Sequence, residues 1–456
     1  MTTGTITWVE ALERRVRQAL DQHDLDAVRM LLTGRHPADV ADVIDRLDDA
    51  DQVLVFRLLA PEQAAGVLGE TSADATRELL EQLPPAEAGD LLDRLPMDDV
   101  AEILAEDVPD RQHVLLAEME PIDAAEVRSL LQYPPQTAGR LMTQKFARVR
   151  PEMTTAETIA LLRRIDPEVE TLNDLYVLDQ ARRLIGVVSL RAVITATPDR
   201  RLGDIMLRDL VTATPETDQE EVARLVSRYD LLALPVVDVG GRMLGIVTVD
   251  DVVDVLVEES TEDVLRFGGV EGGPTDQPYF AIPMMQAIRR RIVWLLLLFL
   301  AGTLTSGVVR LFEAELAQLI VLSSFIPLLI GTGGNTGAQT VSTVIRGLAL
   351  GEIRMRDAWR VVARELRNGL LLGLLLGGIA FLWAYVLGHG LALAAVVGLS
   401  IVAICTWANT IGSLVPLVAQ KVGIDPATIS APLITTLVDA SGLAIYLLIA
   451  KMLLGL

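Results

Sequence analysis

One carboxylate lies in a segment where charge is expensive. Asp439 interrupts the apolar run "PLITTLVDASGLAIYLLIA", with no Lys or Arg within a helical turn. An ionised side chain in the hydrocarbon of a bilayer is costly, so such residues mark ion or substrate pathways by default. The alternative is an Asp that is protonated or hydrogen-bonded for the structure of the bundle. Asp439 is therefore a candidate ligand for a cation.

A glycine-rich stretch, "PLLIGTGGNTGAQT" at 327–340, raises a second question. A phosphate-binding loop needs Lys and then Ser or Thr after its last glycine, whereas here Ala338 and Gln339 follow. Close packing of membrane helices explains the glycines. It does not explain Asn335 and Thr336, which are costly in hydrocarbon without partners. We therefore expect a broken or tightly packed helix that lines a wet cavity.

The composition separates two halves. The 456 residues are 51% hydrophobic, with a mean hydropathy of +0.40 and a net charge of −22. From Arg289 onward there are 12 Lys and Arg against 7 Asp and Glu, whereas the first 288 residues carry 27 against 54. An acidic, water-facing half thus precedes a sparsely charged apolar half. Such a surface suits cations and disfavours nucleic acid, which needs clustered Lys and Arg.

Several site classes are excluded. Cys405 is the single cysteine, so no disulfide framework exists, and the four histidines form no zinc-binding motif. The N-terminus lacks the apolar core of a signal peptide, so we expect the acidic half to stay in the cytoplasm.

The acidic half divides by its periodicity. Short amphipathic helices with Pro or Asp at their starts predict a repeat-like helical array over about 8–135. The following segments "LYVLD…RLIGVVSLRAV" and "LPVVD…RMLGIVTVDDV" repeat a strand–strand–helix pattern, with Gly186 and Gly245 in equivalent places. This tandem resembles a CBS-domain pair, a module that binds ligands between its halves.

The apolar half predicts five membrane spans, because each run is long enough to cross about 30 Å of hydrocarbon. They lie near 292–309, 316–346, 369–388, 391–419 and 428–450. With the N-terminus inside, ten Lys and Arg near the membrane are cytoplasmic, and only Arg310 and Lys451 are outside. We therefore expect a plasma-membrane protein with its N-terminus inside and its C-terminus outside.

Taken together, the helical N-domain, CBS pair, connecting helix and spans carrying "GTGGNTG" and "PLITTLVD" resemble the MgtE family of magnesium channels. The fold class is then a multidomain membrane protein with an all-α superhelical N-domain, an α/β CBS pair and an α-helical transmembrane bundle. The expected domains are 1–137 (N-domain), 138–202 and 203–258 (CBS), 259–288 (connecting helix) and 289–456 (five membrane helices). The resemblance implies a homodimer with one pore on its two-fold axis, embedded in membrane lipid.

The resemblance also implies site residues. Asp439 matches the pore aspartate of the family, and Ala431 replaces the asparagine that the family usually has there. The expected pore lining is Gly333, Asn335, Thr336, Ala431, Thr435 and Asp439. Asp425 is a candidate at the pore mouth, although Asp before Pro is also an ordinary helix cap. The carboxylates matching those implied in cytoplasmic Mg²⁺ sensing are Asp98, Glu102, Asp218, Glu220, Asp230, Asp251, Asp254, Glu259, Glu262 and Asp263.

Mg²⁺ is expected as both substrate and regulatory ligand, and ATP is not expected in the first CBS half. CBS pairs of this kind often hold a ribose through an Asp that ends an [ST]-x-x-[DN] motif. The second half has "TVDD", which places Asp251 there, whereas the first half has "SLRA", with Ala192 in that place. Arg191 remains near the expected phosphate position. We predict weak or absent ATP binding in the first half, and assign Asp251 to metal.

Three alternatives remain. A carrier for Mn²⁺, Co²⁺ or Ni²⁺ is the most serious, although a path without His or Cys disfavours ions that prefer softer ligands. A membrane sensor without transport explains the CBS pair but not Asp439. An intramembrane metalloprotease would need an HExxH motif, which is lacking, so we expect no enzyme activity. Residues alone do not separate a channel from a coupled transporter.

Overall fold

A computed structural model describes residues 3–105, 107–165, 169–271 and 282–455, with side chains from Trp8 onward. The chain divides into two compact units. The first holds the described residues up to Glu259 together with Ile282, and the second holds 260–271 and 283–455. Part of the predicted connecting segment, 272–281, lies outside the described residues.

The N-domain is a stack of short helices that begin at regularly spaced prolines. Pro37, Pro61, Pro85 and Pro109 each occupy the first turn of a helix and recur every 24 residues. Proline suits this position because its missing N–H has no partner there in any case. The predicted repeat is thus confirmed as a helix pair. The helices are α1 (Thr3–Asp21), α2 (Leu25–Leu32), α3 (Pro37–Ile44), α4 (Asp49–Phe56), α5 (Pro61–Glu70), α6 (Ala73–Glu81), α7 (Pro85–Leu92), α8 (Met97–Ala105), α9 (Pro109–Glu118) and α10 (Pro121–Leu130).

The repeat produces a superhelical array because alternate helices pack together. Helices α3, α5, α7 and α9 form one row, and α4, α6 and α8 form another. Leu, Val and Ala side chains at helical spacing, such as Val40, Leu68 and Leu92, are fully buried between the rows. Their burial continues without a break into the neighbouring CBS region.

The CBS pair contains two small sheets, as predicted. In the first sheet β1 pairs parallel with β2 and β2 antiparallel with β3, and in the second β4 pairs antiparallel with β5. Gly186 lies opposite Val177, and Gly245 lies opposite Val236, so the two glycines occupy equivalent ladder positions. The elements are α11 (Ala138–Leu141), β1 (Arg148–Val149), α12 (Thr155–Leu162), β2 (Asp174–Leu178), β3 (Leu184–Ser189), α13 (Leu190–Thr195), α14 (Leu202–Ile205), α15 (Gln219–Tyr229), β4 (Ala233–Val237), β5 (Met243–Thr248) and α16 (Val249–Phe267).

The second unit is a helical bundle whose exposed surface is largely apolar. Its elements are α17 (Met284–Leu311), α18 (Glu313–Gln318), α19 (Val321–Ala349), the 3₁₀ turn η1 (Met355–Asp357), α20 (Ala358–Val386), α21 (Gly390–Lys421), the 3₁₀ turn η2 (Pro426–Thr428) and α22 (Ala431–Leu454). Within the described chain, four segments are long and apolar enough to cross a membrane: Met284–Leu311, Met355–Val386, Gly390–Lys421 and Ala431–Leu454.

Helix α19 is a long helix of a different composition. It has 29 residues, enough to cross a bilayer, but its middle carries the glycine-rich stretch and does not reach the apolarity of the other four. It packs against α21 and α22, so it lies among membrane helices. Helix α19 therefore corresponds to the second predicted span, near 316–346, although it is less apolar than the other four.

Candidate functional site

Asp439 lies on α22 with part of its carboxylate unsatisfied. Its side chain is half-buried, and among the described residues no donor forms a hydrogen bond with its buried Oδ1. Its neighbour on α19 is Gly334, where an added Cβ would lie 3.2 Å from Oδ1. A buried polar atom without a partner is a costly arrangement that invites a ligand. Asp439 is thus available for a cation.

The glycines of the 327–340 stretch allow close contact between α19 and its neighbours. A Cβ on Gly334 would lie 2.7 Å from Thr435 Cγ2, and one on Gly333 would lie 2.5 Å from Ile404 Cγ2. Real Cβ atoms do not approach so closely, so these positions require glycine. Of the two expected alternatives, a broken or a tightly packed helix, the structure shows the tightly packed one, because α19 is continuous. In hydrocarbon an unbroken helix satisfies its own backbone groups.

The polar residues of α19 divide into inward and outward groups. Thr336 is buried and donates to the Thr332 carbonyl at 2.7 Å, which satisfies its hydroxyl within the helix. Asn335 and Gln339 are exposed, at a spacing of four residues that places them on one face. Thr435 on α22 donates to the Ala431 carbonyl at 3.0 Å. Of the predicted lining, Asn335 thus presents its side chain to an open face of α19.

The start of α22 is connected to residues from two other segments. Ser430 caps the helix by accepting from the Leu433 amide, and its Oγ also accepts from Trp294 Nε1 at 2.8 Å. Asp425 caps the preceding turn η2 through a 2.8 Å hydrogen bond from the Ala427 amide. The capping role considered for Asp425 is confirmed, because its Oδ1 accepts this bond.

The remaining oxygen of Asp425 binds an arginine of the connecting segment. Arg266 Nη1 donates to Asp425 Oδ2 at 2.7 Å, and Nη2 pairs with Glu262 on the same helix. Phe267 packs against the apolar cluster formed by residues of α19, α21 and α22. Two predicted metal carboxylates, Glu262 and Asp425, are therefore brought together by a guanidinium group.

A separate acidic cluster lies in the first unit. It comprises Asp98 and Asp99 on α8, Asp251 on α16 and Glu170, whose charges act on one another. Asp98 is only 8% exposed, and its buried Oδ1 has no hydrogen-bond partner among the described residues. The N-domain and the second CBS domain thus place like charges together, an arrangement that favours protonation or a bound cation.

The pKa values of this cluster reflect its burial and the repulsion between its carboxylates. Burial and the nearby Asp251 raise the pKa of Asp98 well above its usual range, and the same causes raise the pKa of Asp99 to about 7. Burial raises the pKa of Asp251 to about 6, although hydrogen bonds from Thr248 oppose the shift. The Thr248 hydroxyl donates to Asp251 Oδ2 at 2.5 Å. Near neutral pH the cluster therefore carries costly negative charge.

Sequence reasoning included Asp98 and Asp251 but missed Asp99 and Glu170. Asp99 adjoins Asp98 in "PMDDV", a signal that was available, whereas nothing near Glu170 in the sequence indicates its role. Among the described residues no three His, Cys, Asp or Glu side chains converge closely enough to hold one metal ion directly.

The other predicted sensing carboxylates have varied surroundings. Asp218 caps α15 by accepting from the Glu220 amide at 2.9 Å, and Asp230 ends that helix with a φ of 52°. Glu259 accepts from Gln219 Nε2 at 2.7 Å. The exposed members of the predicted set, in addition to Asp218 and Asp230, are Glu102, Glu220, Asp254 and Asp263.

Comparison with known proteins identifies the family. The magnesium transporter MgtE of Thermus thermophilus is 42% identical over 448 residues, which cover 98% of this chain and 99% of that protein. The chain belongs to the MgtE family. The magnesium transporter MgtE of Bacillus subtilis is 32% identical over 92% of this chain and 93% of its own length. The predicted resemblance is thus confirmed over nearly the whole chain.

The MgtE family assignment agrees with the domain models. The model described as a divalent cation transporter matches residues 326–449, that of the MgtE intracellular N domain matches 35–136, and the CBS model matches 138–199 and 202–258. Among solved structures, the cytosolic domain of the Mg²⁺ channel MgtE in complex with ATP is 40% identical, with a TM-score of 0.50. The aligned region covers 53% of this chain and 99% of that structure. The predicted fold class is confirmed, and the chain is a multi-pass membrane protein.

Proposed function

We propose that this protein transports Mg²⁺ through a path beside α19 and α22, and that cytoplasmic Mg²⁺ closes that path. The observation that carries the proposal is the unpartnered Asp439 oxygen, next to Gly334 in a membrane helix bundle. The names of the two full-length relatives, both magnesium transporters, support the same substrate.

The open face of α19 supports a path shared by two copies of the chain. Asn335, Gln339 and Thr343 recur every four residues along α19, and all are exposed. Polar side chains do not face lipid without cost, so this face needs water or a partner helix. A second copy related by a two-fold axis would enclose a polar path and bring two Asp439 carboxylates to it. The proposed assembly is thus a homodimer.

The chemistry of Asp439 suits a hydrated ion. Mg²⁺ prefers six oxygen ligands and releases its water reluctantly. One carboxylate from each copy would attract the ion through its waters without holding it so tightly that flow stops. Ala431, about two helical turns before Asp439 on α22, supplies no polar group. The Thr435 hydroxyl between them already donates to the Ala431 carbonyl. Asp439 therefore carries the selectivity for cations.

The acidic cluster supplies the regulatory site. Asp98, Asp99 and Asp251 repel one another while empty, and a bound Mg²⁺ would remove that repulsion. Binding stabilises the arrangement that brings α8 and α16 together, and so shifts the population toward the closed state. The connecting segment, which includes Arg266 and Phe267, transmits the shift to the membrane helices. The other predicted sensing carboxylates would add to the attraction for Mg²⁺: Glu102, Asp218, Glu220, Asp230, Asp254, Glu259, Glu262 and Asp263.

The membrane topology that we propose has five spans: α17, α19, α20, α21 and α22. The N-terminus is cytoplasmic and the C-terminus is outside, because the arginines of the α17 start and of η1 and α20 then lie inside. Arg310 and Lys451 lie at the opposite ends of their helices. The location is the plasma membrane.

Nucleotide binding is expected to be weaker than in the solved relative that holds ATP. In the first CBS half the Ser189 hydroxyl accepts from the Ala192 amide at 3.2 Å, so the motif adopts its helix-start geometry without a carboxylate. In the second half Asp251 belongs to the acidic cluster. We therefore assign neither half a strong ATP site.

Two alternative functions are considered beside Mg²⁺ transport. Carriage of Mn²⁺, Co²⁺ or Ni²⁺ is the main alternative, and a membrane sensor without transport is the other. The relatives are transporters by name, which favours transport over catalysis. No nucleic acid partner is proposed, because the soluble half is acidic.

Ion uptake by purified protein in liposomes tests the proposal. Mg²⁺ uptake that exceeds uptake of Mn²⁺, Co²⁺ and Ni²⁺ is expected, together with single-channel currents. Uptake restricted to another divalent ion would favour the carrier alternative, and no uptake of any ion would favour a sensor.

A further inference from the structure

The start of α20 carries a row of arginines on one exposed face. Arg360, Arg364 and Arg367 follow one another at spacings of four and three residues, which align them along the helix. All three are exposed, and the Arg360 side chain is 87% exposed. This row concentrates positive charge on the surface of a membrane helix.

Two members of the row have no internal counter-ion. Among the described residues Arg364 and Arg367 form no ion pair, whereas Arg360 lies 3.6 Å from Asp357 and Arg346 lies 3.9 Å from Glu352. A positive charge without a protein partner at a membrane surface is available to an anion from outside the chain. The general bias toward cytoplasmic arginines explains their side of the membrane but not their alignment.

The depth of the row matches a lipid headgroup. The same face continues toward the other end of α20 with exposed Leu371, Leu374 and Leu375. From Arg367 to Val386 the helix rises about 28 Å, close to the roughly 30 Å thickness of the hydrocarbon. If Val386 lies at one boundary of the hydrocarbon, Arg367 therefore lies at the other.

An aromatic residue lies at the outer end of the row. Trp359 adjoins Arg360 and is 78% exposed, and tryptophan is enriched where hydrocarbon meets the headgroups. Its ring would rest among the headgroups, while the leucines beyond Arg367 would face the acyl chains. The surface thus offers apolar contacts and guanidinium groups in the order that a phospholipid presents its tails and phosphate.

We propose that Arg360, Arg364 and Arg367, flanked by Trp359, bind the headgroup of an anionic phospholipid. Guanidinium groups donate paired hydrogen bonds to phosphate oxygens, which Lys would do less specifically. Charge complementarity selects a lipid with net negative charge over a zwitterionic one. The binding surface belongs to one chain, and the topology proposed above decides only that the lipid comes from the inner leaflet.

Native mass spectrometry of the full-length protein with added lipid tests the site. Phosphatidylglycerol is expected to bind at least tenfold more tightly than phosphatidylcholine, because each arginine near a membrane surface contributes about a fivefold factor. Arg364→Gln with Arg367→Gln should reduce that preference by about tenfold or more. Arg346→Gln, which removes an arginine already paired with Glu352, should leave the preference unchanged.

Two further measurements identify the bound ligand and check that the double variant folds. Excess inorganic phosphate should not displace the lipid, and unchanged melting temperatures should show that the double variant folds. Equal retention of both lipids, or an unchanged preference in the folded double variant, would overturn the proposal. A disulfide crosslink between two copies of the Arg360→Cys variant, formed without any change in lipid binding, would also overturn the proposal. In that case a second copy of the chain, and not a lipid, would cover this face.

Discussion

Arg266 and Asp425 are 159 residues apart in the sequence, and their side chains form a 2.7 Å ion pair between the end of α16 and the turn before α22. The same guanidinium also binds Glu262. An arginine thus neutralises two carboxylates that the sequence predicted as metal ligands. At this contact the connecting segment is held beside the proposed path by the protein's own charge.

Reversing this ion pair should weaken closure. Both partners are partly exposed, so the pair contributes about 0.5–1 kcal/mol, and Arg266→Glu should raise the Mg²⁺ concentration for half closure about two- to fivefold. Arg266→Glu combined with Asp425→Arg should restore it. The measurement is Mg²⁺ uptake by liposomes that contain the protein, while the Mg²⁺ concentration is varied on the side that the acidic half faces.

Arg183→Glu serves as the control for that experiment, because it breaks an exposed 2.8 Å pair with Asp179 in the CBS region. It should leave closure unchanged. An Arg266→Glu protein that closes like the parent would show that the pair has no part in gating.

Close packing between α19 and α22 should make Gly334→Ala harmful. The new Cβ would overlap Thr435 Cγ2 at 2.7 Å, and overpacking of this kind costs about 1–3 kcal/mol. A lower melting temperature and reduced uptake are expected. Gly331→Ala is the matched control on the same helix, since no atom lies within 4 Å of its added Cβ. Equal melting temperatures for the two variants would contradict the packing described here.

The acidic cluster should make stability depend on pH in a defined direction. Because folding raises the pKa values of Asp99 and Asp251 to about 7 and 6, the folded state binds more protons than the unfolded state between about pH 4 and 7. Stability without Mg²⁺ should therefore be highest in acid and fall as the pH rises toward 7. Added Mg²⁺ should recover the loss at pH 7.5 but have little effect at pH 5.

Thermal unfolding of the full-length protein, followed through the unfolding transition of its acidic half, measures how stability depends on pH. Asp98→Asn should raise the melting temperature without Mg²⁺, because it removes a buried charge, and should reduce the stabilisation by Mg²⁺. Asp209→Asn, outside the cluster, is the control. Mg²⁺ stabilisation that is equal at both pH values in the parent would refute the cluster as a metal site.

Local patterns predicted much of this architecture, and contacts between distant segments were beyond them. The prolines at helix starts and the matching Gly186 and Gly245 are local signals, and both predictions hold. Glu170 and Asp251 become neighbours only through folding, and so do Arg266 and Asp425. Glycine in water argues against a helix, but in lipid the backbone has no other partner, so α19 stays unbroken.

Nucleotide affinity should increase when the first CBS half regains a carboxylate. Ala192→Asp should strengthen ATP binding about ten- to a hundredfold, because a charge-assisted hydrogen bond contributes about 1.5–3 kcal/mol. Calorimetric titration of the full-length protein with ATP measures the change. Micromolar binding by the parent protein that Arg191→Ala abolishes would contradict the expected weakness of this site.

Mg²⁺ uptake by proteoliposomes that contain an internal Mg²⁺ indicator tests most directly whether Asp439 attracts the transported ion. Asp439→Asn keeps the shape of the side chain but removes its charge, so the protein should fold and insert while uptake falls to the level of empty liposomes. Ser441→Ala, on the same helix, should transport like the parent. Uptake near the parental rate by correctly inserted Asp439→Asn protein would contradict the account.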